Sequence, residues 1–196
     1  MTNKAKTLNC DLRPHVKTHK TLQGAYLQTN GTCRKITVST LAEASYFANN
    51  GFDDILYAVP ITSDKLHDAA VIANKIQTFH IMVDNIIQLN AILATPPPSS
   101  TKLWSIIVMV DCGYHRDGVD PEDINSLNII QNINAASNAT FAGIYTHGGH
   151  SYDCSNKQEI QKIAKDERDS VSFNSFFFYN VFSVITASKL YPNSVY

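Results

Sequence analysis

What most narrows the folds open to this chain is a regular alternation. Short, continuous apolar runs take turns with helix-patterned stretches over most of the sequence. "DLRPHVKTH", "KITVS", "DDILYAVP", "FHIMVD", "LWSIIVMVD" and "TFAGIYTH" read as strands. "KTLQGAYLQTNG", "TLAEASYFANNG", "TSDKLHDAAVIANKIQ", "NIIQLNAILA", "PEDINSLNIIQNIN" and "NKQEIQKIAKDERD" read as the helices that follow them. Apolar runs without a polar face belong to strands covered on both sides. Six strand-to-helix units in succession therefore predict a parallel α/β fold. An open doubly wound sheet and a (β/α)8 barrel both satisfy the pattern, and periodicity does not separate them.

The punctuation agrees with this reading. Thr40, with Glu43 three residues on, has the form of a capping box, and Gly51 stops that helix. Thr62 or Ser63 opens the next helix, and Pro121 is expected in the first turn of a later one. Pro96 to Ser100 reads as a turn.

The alternation ends near Asp169. Residues 1–169 read as one α/β unit, and residues 170–196 as an atypical tail. From Ser170 to Ser188 no charged residue occurs, a length comparable to a membrane span, but the many Ser and Asn residues weigh against one. A buried strand with a polar end is a second reading. A third is sequence foreign to the fold, such as intron read-through, and the abrupt loss of pattern inside a charged helix favours it.

Composition sets the outer limits. A chain of 196 residues with 44% apolar content has enough for one domain with a core. A net charge of −1 gives no support for a nucleic-acid or membrane-surface partner. Cys10, Cys33, Cys112 and Cys154 are scattered and form no CxxC pair, which reads as reduced thiols. The polar N-terminus lacks the apolar core of a signal peptide, so a cytoplasmic location is expected. No Walker A loop, complete GxGxxG or GxSxG elbow occurs.

Ligands in either architecture bind at the C-terminal ends of strands. Three segments put chemistry there. In "RPHVKTHK", Lys17 is flanked by Arg13, His15, His19 and Lys20. Neighbouring cations lower an ammonium pKa, and a lysine tuned so is a Schiff-base candidate. A solvated basic turn is the alternative. In "VDCGYHRDGVDP", glycines on both sides of Arg116 allow a turn that aims its guanidinium at a pocket. An Asp111–Arg116 loop ion pair is equally compatible. In "YTHGGHSYD", His147 follows the strand, two glycines allow close backbone approach, and His150 and Tyr152 add polar rings. His-x-x-His alone falls short of the ligands zinc needs, so stacking of His147 on a flat cofactor is the better functional reading.

Taken together, "LRPHVKTHKT", "ITVSTLAEASYFANNGFDDILYAVPIT", "VMVDCGYHRDGVDP" and "GIYTHGGHSYD" resemble the D-serine dehydratase and D-threonine aldolase family. The resemblance covers residues 8 to 168, with four motifs in the same order, and is closer to eukaryotic D-serine dehydratases. It implies the alanine racemase-type, pyridoxal phosphate-dependent barrel, here incomplete, with about six βα units of a (β/α)8 TIM-type barrel. It places the Schiff-base lysine on Lys17 rather than Lys20. It implies that Arg116 contacts the cofactor ring oxygen, that His147 packs on the pyridine ring, and that Tyr152 lies near the cofactor. The implied activity is that of a lyase converting D-serine, or a related D-amino acid, to a keto acid and ammonia. The resemblance also implies an assisting zinc ion and, for the full-length enzyme, a homodimer. Past Arg168 the family's phosphate loops, closing strands and C-terminal zinc ligands have no match. The competing expectation is therefore a truncated chain that binds cofactor weakly or not at all and does not turn over.

Overall fold

The computed structural model describes the backbone of residues 2–182 and the side chains of residues 2–172. Helix α1 (Thr2–Thr7) and an extended segment precede α2 (Leu22–Gln28). The chain then continues as β1 (Ile36–Val38), α3 (Leu41–Asn49), β2 (Asp54–Pro60), α4 (Leu66–Lys75), β3 (Thr78–Val83), α5 (Ile86–Leu93), β4 (Trp104–Val110), α6 (Ser126–Ala135), β5 (Ala139–Thr146) and α7 (Lys157–Phe182).

All five strands are parallel, and their spatial order is their chain order, β1 to β5. The expected first strand is reduced to one parallel bridge, His15 to Thr37. It is held by Val16 N–H donating to Thr37 O and Thr37 N–H donating to Pro14 O. The sheet thus has six members in strict sequence. A doubly wound sheet reverses its order at a switch point; this one does not, and the architecture is a partial barrel.

The pleat explains the two cores. Ile55, Tyr57, Ile81, Val83, Ile106, Val108 and Val110 face outward into the helices. Leu56, Met82, Ile107 and Met109 point the other way and form an inner cluster with Ala58, Ala142 and Tyr145. Successive residues of a strand face opposite sides, so an uninterrupted apolar run fills both. Trp104 at the start of β4 is buried, and its indole N–H donates to Pro96 O at 3.1 Å. That hydrogen bond fastens the proline-rich turn to the sheet.

The Thr40 cap formed as its residues suggest, whereas the helix expected from Thr62 or Ser63 opens with a 3-10 turn, Ser63–Lys65, and Thr62 makes no side-chain cap. Thr40 Oγ1 accepts from Glu43 N–H at 3.0 Å, and Glu43 Oε2 accepts from Thr40 N–H at 3.3 Å. Gly51 ends the helix region at φ +89°. The helix expected from Pro121 begins later, at Ser126. Asp120 and Asp123 side chains capture the N–H groups of Glu122 and Asn125 and hold the preceding residues in turns. Helix α7 continues through Ser170 to Phe182 with no break in the backbone where the charges stop. A helix already nucleated propagates through residues of middling propensity. The tail's residues 183–196 lie outside the described residues. No helix among the described residues is long and apolar enough to cross a membrane.

Candidate active site

The bridge segment carries its odd-numbered side chains inward, and each of its basic groups but one is engaged. Arg13, at the strand's entry, donates to Asp54 Oδ1 at 2.7 Å and to Ile36 O at 3.3 Å. His15 Nδ1 accepts from Lys17 N–H at 3.2 Å, while Nε2 lies 3.2 Å from Ser39 Oγ. His19 lies 2.9 Å from Gln28 Oε1 through Nε2 and accepts from Thr21 N–H. Lys20 pairs with Glu43 at 3.0 Å. Lys17 is exposed, and among the described residues no carboxylate pairs with its amine. Of the two lysines in "KTHK", the structure commits Lys20 to a cap and leaves Lys17 available.

The loop after β4 is built around Asp111. Its carboxylate accepts from Gly113 N–H at 2.9 Å, from His115 N–H at 3.0 Å and pairs with His115 Nδ1 at 2.7 Å. These donors hold Asp111 below the usual carboxylate range against the opposing effect of its burial. The Asp111–Arg116 pair is therefore not formed. Arg116 instead meets Asp117 at 3.2 Å and lies over the Tyr114 ring, 5.7 Å from its centroid. The loop returns to the sheet at Val119, whose N–H donates to Met109 O and whose carbonyl accepts from Asp111 N–H.

After β5, the chain passes His147 and the two glycines into a short helical turn, Gly149–Asp153. Gly148 N–H donates to Glu167 Oε1 of α7 at 2.6 Å. His147 meets Tyr114 edge-on and Tyr152 at a tilt, both with centroids 5.9 Å apart. His150 stacks on the opposite partner, Tyr114, at 5.8 Å and 19°. Tyr152 itself is 71% exposed. The result is a ring cluster, Tyr114, His147, His150 and Tyr152, beside the Arg116 guanidinium.

These strand ends lie close together only because the sheet curls. In a flat sheet, the His15 bridge and β5 would be about 24 Å apart, five strand spacings. Yet His147 sits below its ordinary pKa first through burial, then through the Arg116 and Lys17 cations. His15 is lowered to about 4, chiefly by burial and then by Lys17, with a smaller contribution from His147. Tyr145, on the inner face of β5 two residues before His147, is raised by its burial. Lys17 and Arg116 thus lie near enough to act on His147, with the Asp117 and Glu167 carboxylates opposing them and Tyr152 alongside.

A cavity of about 610 Å³ lies on the far side of the β4 loop. Asp111, Asp120, Glu122, Asp166 and Asp169 line it. That acidic wall repels a phosphorylated anion.

Sequence reasoning did not single out Tyr114 or Glu167, and it read His15 only as a flanking cation. Tyr114 was legible as the one aromatic residue within the glycine-bounded loop. Glu167 was not, because its partner Gly148 lies 19 residues away on another element.

The sequence matches the family described as alanine racemase, N-terminal domain, over residues 1–174. A D-serine dehydratase of Dictyostelium discoideum is 38% identical over 178 residues, covering 85% of this chain and 45% of the relative. A D-threo-3-hydroxyaspartate dehydratase of Delftia sp. is 32% identical over 157 residues, covering 80% and 41%. The structure of the Delftia enzyme superposes with a TM-score of 0.84 over 92% of this chain and 47% of that one. A D-threonine aldolase from Filomicrobium marinum shares the fold at 22% identity and a TM-score of 0.81. The chain spans less than half the length of the curated relatives it matches.

Proposed function

The chain belongs to the alanine racemase N-terminal domain family, and from that premise we propose that it supplies the lysine-bearing half of a pyridoxal phosphate-dependent lyase acting on D-amino acids, most like a D-serine dehydratase. The observation that carries this reading is Lys17. It is the inward amine at a strand's C-terminal end that remains available while Arg13, His15, His19 and Lys20 are each engaged.

The residues present fit the group. Lys17 and Arg116 would supply cations toward a phosphorylated anion. Pyridoxal phosphate, held on a lysine amine, supplies an electron sink that makes the Cα proton of an amino acid acidic. Lys17 is the Schiff-base lysine in this reading, and its released amine takes the Cα proton. The imidazole of His147 is held neutral by burial and by its cationic neighbours, which suits a flat ring packed against a heteroaromatic face. Arg116 would give its guanidinium to the ring oxygen, and Tyr152 would border the site. Loss of the Cα proton and the β-hydroxyl from D-serine, followed by hydrolysis, gives pyruvate and ammonia. Assembly as a homodimer belongs to the same proposal for the whole protein.

The described residues do not fit a zinc ion. No group of three or more His, Cys, Asp or Glu side chains among them converges as metal ligands. No step is assigned to zinc on residues of this chain.

The test is the visible absorption of purified protein with pyridoxal phosphate, wild type against Lys17→Ala, followed by borohydride trapping and peptide mapping. The expected result is a band present in wild type, lost in the variant, and trapped cofactor on Lys17. Absence of the band in both would support the alternative, a chain that holds cofactor weakly or not at all and is not catalytic.

A further inference from the structure

We propose that His15 is the positioning residue for Lys17: a neutral imidazole, fixed in its Nε2–H tautomer, that clamps the lysine's backbone where it leaves the sheet. The proposal rests on the reading of Lys17 as the cofactor lysine and adds the residue that sets its starting point.

The sheet stops holding the chain at Val16. Its N–H is the last on this segment to donate to β1, and the next residues turn, with His19 and Lys20 N–H both donating back to Val16 O. Lys17 N–H has left the ladder, and His15 Nδ1 accepts it. A side chain accepting from the backbone two residues on is the geometry of an Asx turn, built here with an imidazole.

That bond fixes the tautomer. Nδ1 accepts, so it carries no proton; Nε2 does, and it donates to Ser39 Oγ. Ser39 is itself anchored, its N–H donating to Glu43 Oε2 at 2.8 Å. Glu43 is fixed by the Thr40 capping box and by Lys20. A continuous run of hydrogen bonds therefore leads from the start of α3 to the backbone of Lys17. A protonated His15 would set a second N–H against Lys17 N–H and a second cation beside its amine. The groups facing the ring are Lys17, Ser39, Glu43 and His147, and burial with the two basic neighbours outweighs Glu43.

Both ring nitrogens are occupied, so His15 has no free site for a substrate proton. It acts through Lys17. A lysine side chain has four rotatable bonds, and a fixed backbone origin limits how many of its conformers reach the site.

Two substitutions separate this role from simple space filling. His15→Asn keeps an acceptor for Lys17 N–H in Asx-turn geometry but loses the ring. His15→Phe keeps the ring but loses the acceptor. Two readouts follow: the rate of borohydride-trapped pyridoxal phosphate on Lys17, and amide hydrogen exchange at Lys17 in cofactor-free protein. Loss of one net hydrogen bond predicts a trapping rate about three- to tenfold lower and a Lys17 amide exchange rate about three- to tenfold higher for His15→Phe, with His15→Asn within about threefold of wild type in each. Nitrogen-15 spectra of the wild-type ring should show the Nε2–H tautomer down to pH 5. If His15→Phe traps cofactor and protects the Lys17 amide as wild type does, the proposal is overturned. It is equally overturned if His15→Asn is the worse of the two. A wild type that traps no cofactor would remove the lyase reading, and the exchange comparison would still decide whether His15 holds Lys17.

Discussion

The Arg13 guanidinium donates to the Asp54 carboxylate at 2.7 Å with side-chain exposures of 4% and 7%, tying the lysine-bearing segment to the start of β2 across 41 residues of sequence. Arg13, His15 and Lys17 are alternate residues, so they share the inner side of the bridge segment. The buried pair fixes its lower end, and Lys17 emerges at the upper.

Removing one partner of a buried ion pair leaves the other charge uncompensated, at a cost of about 3–5 kcal/mol. Asp54→Ala should therefore lower the free energy of unfolding by that amount, read from urea denaturation. The double variant Arg13→Met with Asp54→Leu should recover much of it. Equilibrium denaturation of the three proteins checks this. An Asp54→Ala loss below about 1 kcal/mol would mean the pair contributes little, as exposed pairs do.

His80 sits beside that pair, its Nδ1 2.8 Å from Ser105 Oγ and its Nε2 3.9 Å from Asp54. Its pKa is lowered to about 4 from 6.5, by burial first and then by Arg13, with Asp54 pulling the other way. The unfolded chain thus takes up a proton on His80 at higher pH than the folded one does. Stability from this group is full above pH 6.5 and is lost as pH falls toward 4. The shift is worth about 3 kcal/mol at most across that window. His80→Gln should flatten the slope of the urea midpoint against pH between 7.5 and 5, whatever it does to stability at pH 7.5.

Gly118 and Gly148 border the two ligand loops but constrain them differently. A Cβ on Gly118 would lie 2.5 Å from Asp111 N and 2.6 Å from Val110 C, both rigid backbone, at φ +106°. A Cβ on Gly148 would meet the end of the Glu167 side chain, which can swing away. Gly118→Ala is expected to cost about 2 kcal/mol or more, and Gly148→Ala about 1, the value of its bond to Glu167. Thermal denaturation ranks them; the reverse order would mean that the β4 loop does not close on the strand in this way.

Much of the fold was legible because its signals are local. Six apolar runs marked the strands, and Thr40 with Glu43 marked a cap that formed with both hydrogen bonds. What the sequence left open depends on partners far along the chain. Periodicity does not encode strand order, so by itself it left barrel and doubly wound sheet equal; the resemblance implied the barrel, and β1 to β5 do run in sequence. The same limit applies to Arg13 and Asp54, and to Gly148 and Glu167, which no spacing rule connects. Pro121 misplaced a helix start because Asp120 and Asp123 compete for the same backbone donors. Lys17, Arg116 and His147 were each visible as polar residues at strand ends. Only the curl of the sheet brings their charges together.

The two lysines of "KTHK" give the sharpest separation of roles. Lys20 is 60% exposed and pairs with Glu43 at 3.0 Å, at the end of α3 where the capping box already holds that carboxylate. An exposed ion pair of this kind is worth about 0–1 kcal/mol, and alanine at the same φ of +51° adds little further strain. Lys20→Ala should thus be slightly destabilised at most, and should still trap pyridoxal phosphate on Lys17 at close to the wild-type rate. Lys17→Ala should keep wild-type stability, since its amine has no ion-pair partner among the described residues, yet trap none at this position. Peptide mapping after borohydride reduction, alongside thermal melts of both variants, reads both outcomes. Trapping that moves to Lys20, or that is lost in Lys20→Ala, would show that the segment does not fix which amine enters the site.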